Sequence, residues 1–427
     1  MRLRNWILSA ALLLAASPMF AGNLVVHMTG NPSCEPYTQF TSIQAAVNAA
    51  PASATTIYVC PGTYPEQITI NGKKVTLKGV AYSGANAAVI TPPASGLVQN
   101  ATSIYGHLVF AQVFVENTTA ANIEDLTFDA TGNNTNCGDD PIGIYYQNAS
   151  GTITRNSVLN VLVVPAIGCQ GGLGIFAESG FPGQPPVGVT HVTITYNNVE
   201  NYDKNGITAN LQNTTATISY NTVVGFGTTD QIAQNGIQLA FGATGSITNN
   251  NIADNSYSNC PGPTCGTAAT GILVYQSLAP TISTNTVTNS NVGIYVASGN
   301  PGDTNNAVVN ANVISATHLY DAVDMCADLG TVTANKITGA DESGVHLDDE
   351  CGDATVTGSA TGNTISSSCA GILVGPSASG LTSPDTYYNV GTQVMTGSDS
   401  CTPPLGPRKG AVKSHPVVSP AGGPSRL

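Results

Sequence analysis

ITRNSV at residues 153–158, ITYNNV at 194–199, ISYNTV at 218–223, ITNNNI at 247–252 and ISTNTV at 282–287 are copies of one pattern, I-[TS]-x-N-x-[VI]. Weaker copies follow as VNANVI at 309–314, VTANKI at 332–337 and ATGNTI at 360–365. The shared asparagines are Asn156, Asn197, Asn221, Asn250, Asn285, Asn312, Asn335 and Asn363, spaced by 41, 24, 29, 35, 27, 23 and 28 residues. A period that varies in this range marks stacked supersecondary units whose loops differ in length.

Each unit carries a second signature, G-[IV]-x-[VL] or a variant. It reads GIYY from Gly143, GIFA from Gly174, GITA from Gly206, GIQL from Gly236, GILV from Gly271, GIYV from Gly293, GVHL from Gly344 and GILV from Gly371, with AVDM from Ala322 in the same slot. Both signatures place apolar residues two apart, the period of a strand with one buried face. Asparagine and glycine between them mark tight turns. The one helical stretch is TSIQAAVNAAP from Thr41, where Thr41 or Ser42 caps, Ile43 and Val47 share a face and Pro51 stops the helix. Such a helix covers the open end of a strand stack, whose bare edge invites aggregation.

FTSIQAAVNAAP, IYVCPGTYPEQITI and KKVTLKGV together resemble the start of the right-handed parallel β-helix proteins of the pectin-lyase-like superfamily, and the two repeat signatures resemble its coils. The resemblance runs from about Pro36 to Val374. It implies an all-β chain, a single-stranded right-handed parallel β-helix of about ten coils with a short N-terminal capping helix. Inward Ile and Val would stack on their equivalents in neighbouring coils, and the asparagines would form an amide ladder. The fold hosts lyases, hydrolases, esterases and non-enzymatic surface proteins, so it does not settle activity.

The ends read differently. Arg2 and Arg4 precede an apolar stretch from Trp6 to Ala16 and small residues follow, the form of a secretory signal ending near Ala21 and too short to span a membrane. Residues 22–402 are read as the β-helix and 403–427 as a disordered Pro-rich tail. The expected protein is exported, without a membrane span, and monomeric. Ten cysteines in an exported chain read as disulfides. Local pairing gives Cys34–Cys60, Cys137–Cys169, Cys260–Cys265, Cys326–Cys351 and Cys369–Cys401. The chain is acidic, with net charge −13, and its few bases are scattered, which excludes nucleic acid as a partner.

In G-[IV]-x-[VL] the second and fourth residues face inward and the third outward. The third residues form an outer column: Tyr145, Phe176, Thr208, Gln238, Leu273, Tyr295, Asp324, His346 and Leu373. Strands in adjacent coils lie about 4.8 Å apart, so neighbours in this column touch. Nine of the 25 acidic residues fall between His318 and Asp353, including Asp321, Asp324, Asp348, Asp349 and Glu350. Crowded carboxylates repel unless a cation or protons relieve them.

The reading is therefore an acidic and aromatic groove on the outer face of the C-terminal coils that binds or cleaves polysaccharide. Asp324, His346, Asp348 and Asp349 are the candidate catalytic residues, and Tyr295, Asp321 and Glu350 the candidate substrate contacts. Paired carboxylates suit glycoside hydrolysis, and several oxygens suit Ca2+. Resemblance to β-helix polygalacturonases implies acids on successive coils, but their G-H-G and R-I-K motifs are absent. Resemblance to pectate lyases implies Ca2+ and a basic residue, for which Lys336 is the candidate near the cluster. The G-x-Y-x-E element of pectin esterases recurs at Gly62, Tyr64 and Glu66 without their later catalytic motifs. The alternative reading is a non-catalytic, adhesin-like secreted or cell-surface rod.

Overall fold

A computed structural model describes residues 22–80, 87–163, 169–180, 188–258, 268–298, 306–317, 320–326, 328–349 and 356–397. The expected leader, the expected tail at 403–427 with the preceding residues 398–402, His318 and Glu350 lie outside the described residues, as do Cys260, Cys265, Cys351 and Cys401. The chain winds through three sheets of 14, 12 and 13 strands, visiting each once per turn. One turn, for example, runs through Gly151–Thr154, Ser157–Val161 and Leu173–Glu178. The pairings along all three sheets are parallel; the short strand Ala101–Thr102 lies off them and pairs antiparallel with Leu108–Glu116. Even the shortest sheet has 12 strands, so the stack is longer than the ten or so coils that the repeats mark. The extra turns lie before Asn156 and after Asn363, where the asparagine signature is missing but the strand pattern continues.

The repeat positions stack as their period requires. Ile153, Ile194, Ile218, Ile247, Ile282, Val309, Val332 and Ala360 are register partners in the first sheet. The closing Val or Ile of each signature, from Val158 to Ile365, does the same in the second. Both rows join one continuous core, with the inward Ile and Val residues of the third sheet. Each buried Ile or Val is worth about 1.5–3 kcal/mol. The glycine of the second signature is needed for close approach: a Cβ on Gly206 would sit 2.3 Å from Val223 Cγ1 and 2.7 Å from Gly236 O.

The amide ladder is continuous. Asn250 shows its logic: its Oδ1 accepts from both the backbone N–H and Nδ2 of Asn221, each at 2.9 Å. Its Nδ2 donates to Ile218 O and to Asn285 Oδ1, each at 3.0 Å. The same donation links every rung from Asn156 to Asn363, and Asp385 closes the series by accepting from Asn363 Nδ2 at 3.0 Å. The residue before each asparagine turns left-handed, with φ of 55° at Arg155, 57° at Tyr196, 58° at Tyr220 and 56° at Ala334.

The capping helix spans Ile43–Ala49, with Ser42 as N-cap. The Glu66 carboxylate accepts from Ile43 N at 2.8 Å, Gln44 N at 3.0 Å and Ser42 Oγ at 2.8 Å, where the helix dipole favours an anion. Tyr64 Oη donates to Cys60 O at 2.8 Å. The G-x-Y-x-E element thus fastens the cap to the first coil.

Cys34–Cys60 and Cys137–Cys169 are disulfides as expected. Cys326 and Cys369 are also disulfide-bonded. Among the described residues, no helix is long and apolar enough to cross a membrane.

Candidate functional site: a buried acid and histidine cluster

The outer column forms in the predicted register. Tyr145 pairs with Phe176, Phe176 with Thr208, Thr208 with Gln238, Gln238 with Leu273 and Leu273 with Tyr295. Tyr295 then pairs with Asp324, Asp324 with His346 and His346 with Leu373. Exposure departs from expectation. The column is not an open groove: Tyr295 is 3% exposed, Asp324 0% and His346 1%. The sheet's outer face carries its own apolar packing. Phe114, Tyr145 and Phe176 stack in one cluster, and Leu273, Tyr295, Tyr320 and Cys326 form another. Strand periodicity says which way a side chain points, and only the path of the connecting segments says whether anything covers it.

Two successive rungs gather the charges. Asp321 enters the strand Val323–Cys326, which holds Asp324; the next strand, Ser343–Leu347, holds His346 and leads into Asp348. Asp321 Oδ1 accepts from Ser343 N at 3.0 Å and Ser343 Oγ at 2.5 Å, and Oδ2 lies 3.2 Å from His346 Nδ1. Asp324, His346 and Asp348 offer ligating atoms within 4.8 Å of one another, and all three are buried. One imidazole nitrogen and two carboxylate oxygens form a donor set for a divalent cation. Asp321 would then orient the ring, as a carboxylate partner does for many metal-bound histidines.

The electrostatics follow from burial against charge. Burial alone would push the His346 imidazole down, but Asp321, by charge and hydrogen bond, with Asp348 and Asp324, raises it to about 9. The Tyr295 phenol is held well above its usual value by burial, then by Asp324 and Asp348. Tyr320 rises to about 12 through burial, then Glu342 and Asp321.

Not every predicted residue converges. Asp349 turns away from Asp348 and accepts from Ser377 N in the next coil. Lys336 begins Lys336–Ala340 in the second sheet, on an exposed position, so the candidate lyase base is not beside the acids. Ser343, which the sequence reading missed, holds Asp321; its signal is its place immediately before the Gly344 signature. A second pair of buried acids was also missed. Glu178 accepts from Tyr145 Oη at 2.5 Å, Gln147 Nε2 at 3.1 Å and Ile104 N at 3.2 Å, and burial raises it to about 7. Asp140 faces His107 at 3.6 Å and is raised to about 8 by burial, then by Asp139.

The sequence profile of the family described as "Right handed beta helix region" matches residues 111–313 and 187–384. The chain belongs to the right-handed β-helix family. This β-helix is similar to the GH136 lacto-N-biosidase from Eubacterium ramulus, at 12% identity over 88% of this chain and 67% of that one, with a TM-score of 0.57. It is similar also to PfbA, a surface adhesin of Streptococcus pneumoniae, at 12% identity over 84% of this chain and 88% of that one, with a TM-score of 0.51. At such identity the likeness shows the fold alone. No curated protein matches the sequence.

Proposed function

We propose that this protein is an exported β-helix that binds or cleaves polysaccharide at the rungs of Tyr295, Asp324 and His346. One observation carries the reading. Along the described column these are the adjacent rungs with an acid and an imidazole, while the others hold apolar, amide or hydroxyl side chains. Burying ionisable groups costs stability, and scaffolds that bear this cost commonly do so at functional sites. Export is supported by the leader pattern and the disulfides. This column is closed, so the reading requires that it open to the sugar; Asp324 and Asp348 are then the pair for proton transfer, His346 positions the sugar and Tyr295 borders it. With a transition-metal cation bound, the same two acids and His346 would be ligands that hold the ion against sugar oxygens; Ca2+, which takes oxygen ligands, would use the carboxylates without the imidazole.

The test is a polysaccharide panel assayed for binding, reducing ends and unsaturated products, with and without chelator. Asp324→Asn and Asp348→Asn should each lower turnover or affinity at least tenfold. Loss with chelator assigns the cation role, and indifference to chelator assigns proton transfer. Full activity in both variants sinks the reading.

The closed column favours a second reading, an adhesin-like rod in which the cluster is structural. That reading expects no polysaccharide to bind, and the two variants to change stability alone.

A further inference from the structure

Outside the buried cluster, an aromatic series runs along the edge of the third sheet. Tyr105 sits at the tip of the segment that Ala101–Thr102 leads into and is 45% exposed. Its ring lies 6.4 Å from Phe241, edge to face at 68°, and Phe241 lies 5.5 Å from Tyr275 at 73°. Phe241 and Tyr275 are half-buried, so the three rings touch edge to face and each is partly open to solvent. Tyr275 packs in turn against the apolar cluster that holds Tyr295, the rung below Asp324. The series therefore starts in solvent and ends at the acids.

The tip is held by polar contacts rather than a deep core. Ile104 N donates to Glu178 at 3.2 Å, Gln147 Nε2 donates to Thr102 O at 2.9 Å, and His107 faces Asp140. Phe241 is left-handed, with φ of 55°, as are Leu211 and Gln276 at the same turn of the neighbouring coils, so the fold itself sets its place. The backbone beside the rings is tied to the next coil: Phe241 N donates to Tyr275 O at 2.9 Å and Gly242 N to Gln276 O at 2.8 Å.

We propose that Tyr105, Phe241 and Tyr275 form a binding subsite for a neutral polysaccharide, on which sugar rings stack along the helix axis toward Tyr295. The chemistry argues for this ligand class. A sugar presents an apolar C–H face, which buries well on an aromatic ring, and hydroxyls, which the phenol groups of Tyr105 and Tyr275 can bond. From Gly206 to Asn335 the sequence has no Lys or Arg, so an anionic chain would find no counter-charge there. Stacked coils rise about 4.8 Å, close to the length of one sugar unit, so successive rings can follow the rungs. This subsite deepens the polysaccharide reading and rests on it.

The experiment is affinity electrophoresis and calorimetry of the full chain on neutral polymers (β-glucan, xylan, mannan, chitin oligomers) and on anionic ones (polygalacturonate, alginate). The variants are Tyr105→Ala, Tyr105→Phe, Phe241→Ala and Asp324→Asn, with Tyr196→Ala as an exposed control on another face. Tyr105→Ala should weaken binding of a neutral polymer about tenfold, equivalent to about 1.4 kcal/mol. Tyr105→Phe should restore it, and Tyr196→Ala should leave it unchanged. Unchanged binding by Tyr105→Ala with loss by Asp324→Asn overturns the subsite and leaves the polysaccharide reading standing. Preference for an anionic polymer overturns the ligand class. Absence of any binding by the unmutated chain overturns both. Tyr105 is exposed, so its variants should fold; an unchanged melting curve confirms that the loss is at the surface.

Discussion

Replacing Asn250 with alanine cuts the amide ladder at its middle. Its side chain makes four hydrogen bonds: two accepted from Asn221, one donated to Ile218 O and one to Asn285 Oδ1. Each is worth about 1 kcal/mol net, and a buried donor left bare costs about 1–3 kcal/mol. The expected destabilisation is about 4 kcal/mol, a large part of the usual margin of about 5–15 kcal/mol. Asn250→Asp tests the direction of the ladder. Its oxygens still accept from Asn221, but one now faces the Asn285 oxygen, formerly 3.0 Å from the amide nitrogen. Two acceptors then meet without a proton between them, so Asp should cost nearly as much as Ala. The assay is urea unfolding followed by far-ultraviolet circular dichroism, comparing midpoints at unchanged slope. A loss below about 1 kcal/mol for Ala, or a neutral Asp, would refute the claim that the ladder carries stability.

At the last rung the reverse exchange, acid to amide, should be harmless, because Asp385 only accepts from Asn363; Asp385→Asn should stay within about 0.5 kcal/mol and Asp385→Ala cost about 2 kcal/mol in the same unfolding assay. Ala334 is left-handed, so Ala334→Gly should raise stability by about 0.5–1 kcal/mol, while Ala334→Val lowers the melting temperature. Glu178, raised to about 7, binds its proton more tightly in the folded chain than in the unfolded one. Its contribution is therefore greatest below the unfolded value near 4.3 and is lost as pH rises toward 7, by about 3–4 kcal/mol. Glu178→Gln should flatten this decline when wild type and variant are unfolded at pH 4.5 and pH 8, and a parallel decline in both would count against it.

The Asp348–Asp349 pair shows where sequence reading stops. The two residues are adjacent and chemically identical, yet one joins His346 and the other bonds Ser377 in the next coil. Alternation along a strand predicted that Asp324 and His346 would meet, and they do. Past the strand end, where Asp348 begins a connection, no period applies.

The sequence alone determined the winding of the chain, its core rows, the amide ladder and the register of the outer column, because these depend on a two-residue period and an invariant amide repeated coil after coil. Tertiary structure decided what no period encodes: that the column is buried, that Ser343 and Asp321 hold His346, and that Tyr105 meets Phe241 across more than a hundred residues of sequence. Burial and long-range contact depend on where irregular segments come to rest, and their course is set by packing against coils far away in the chain.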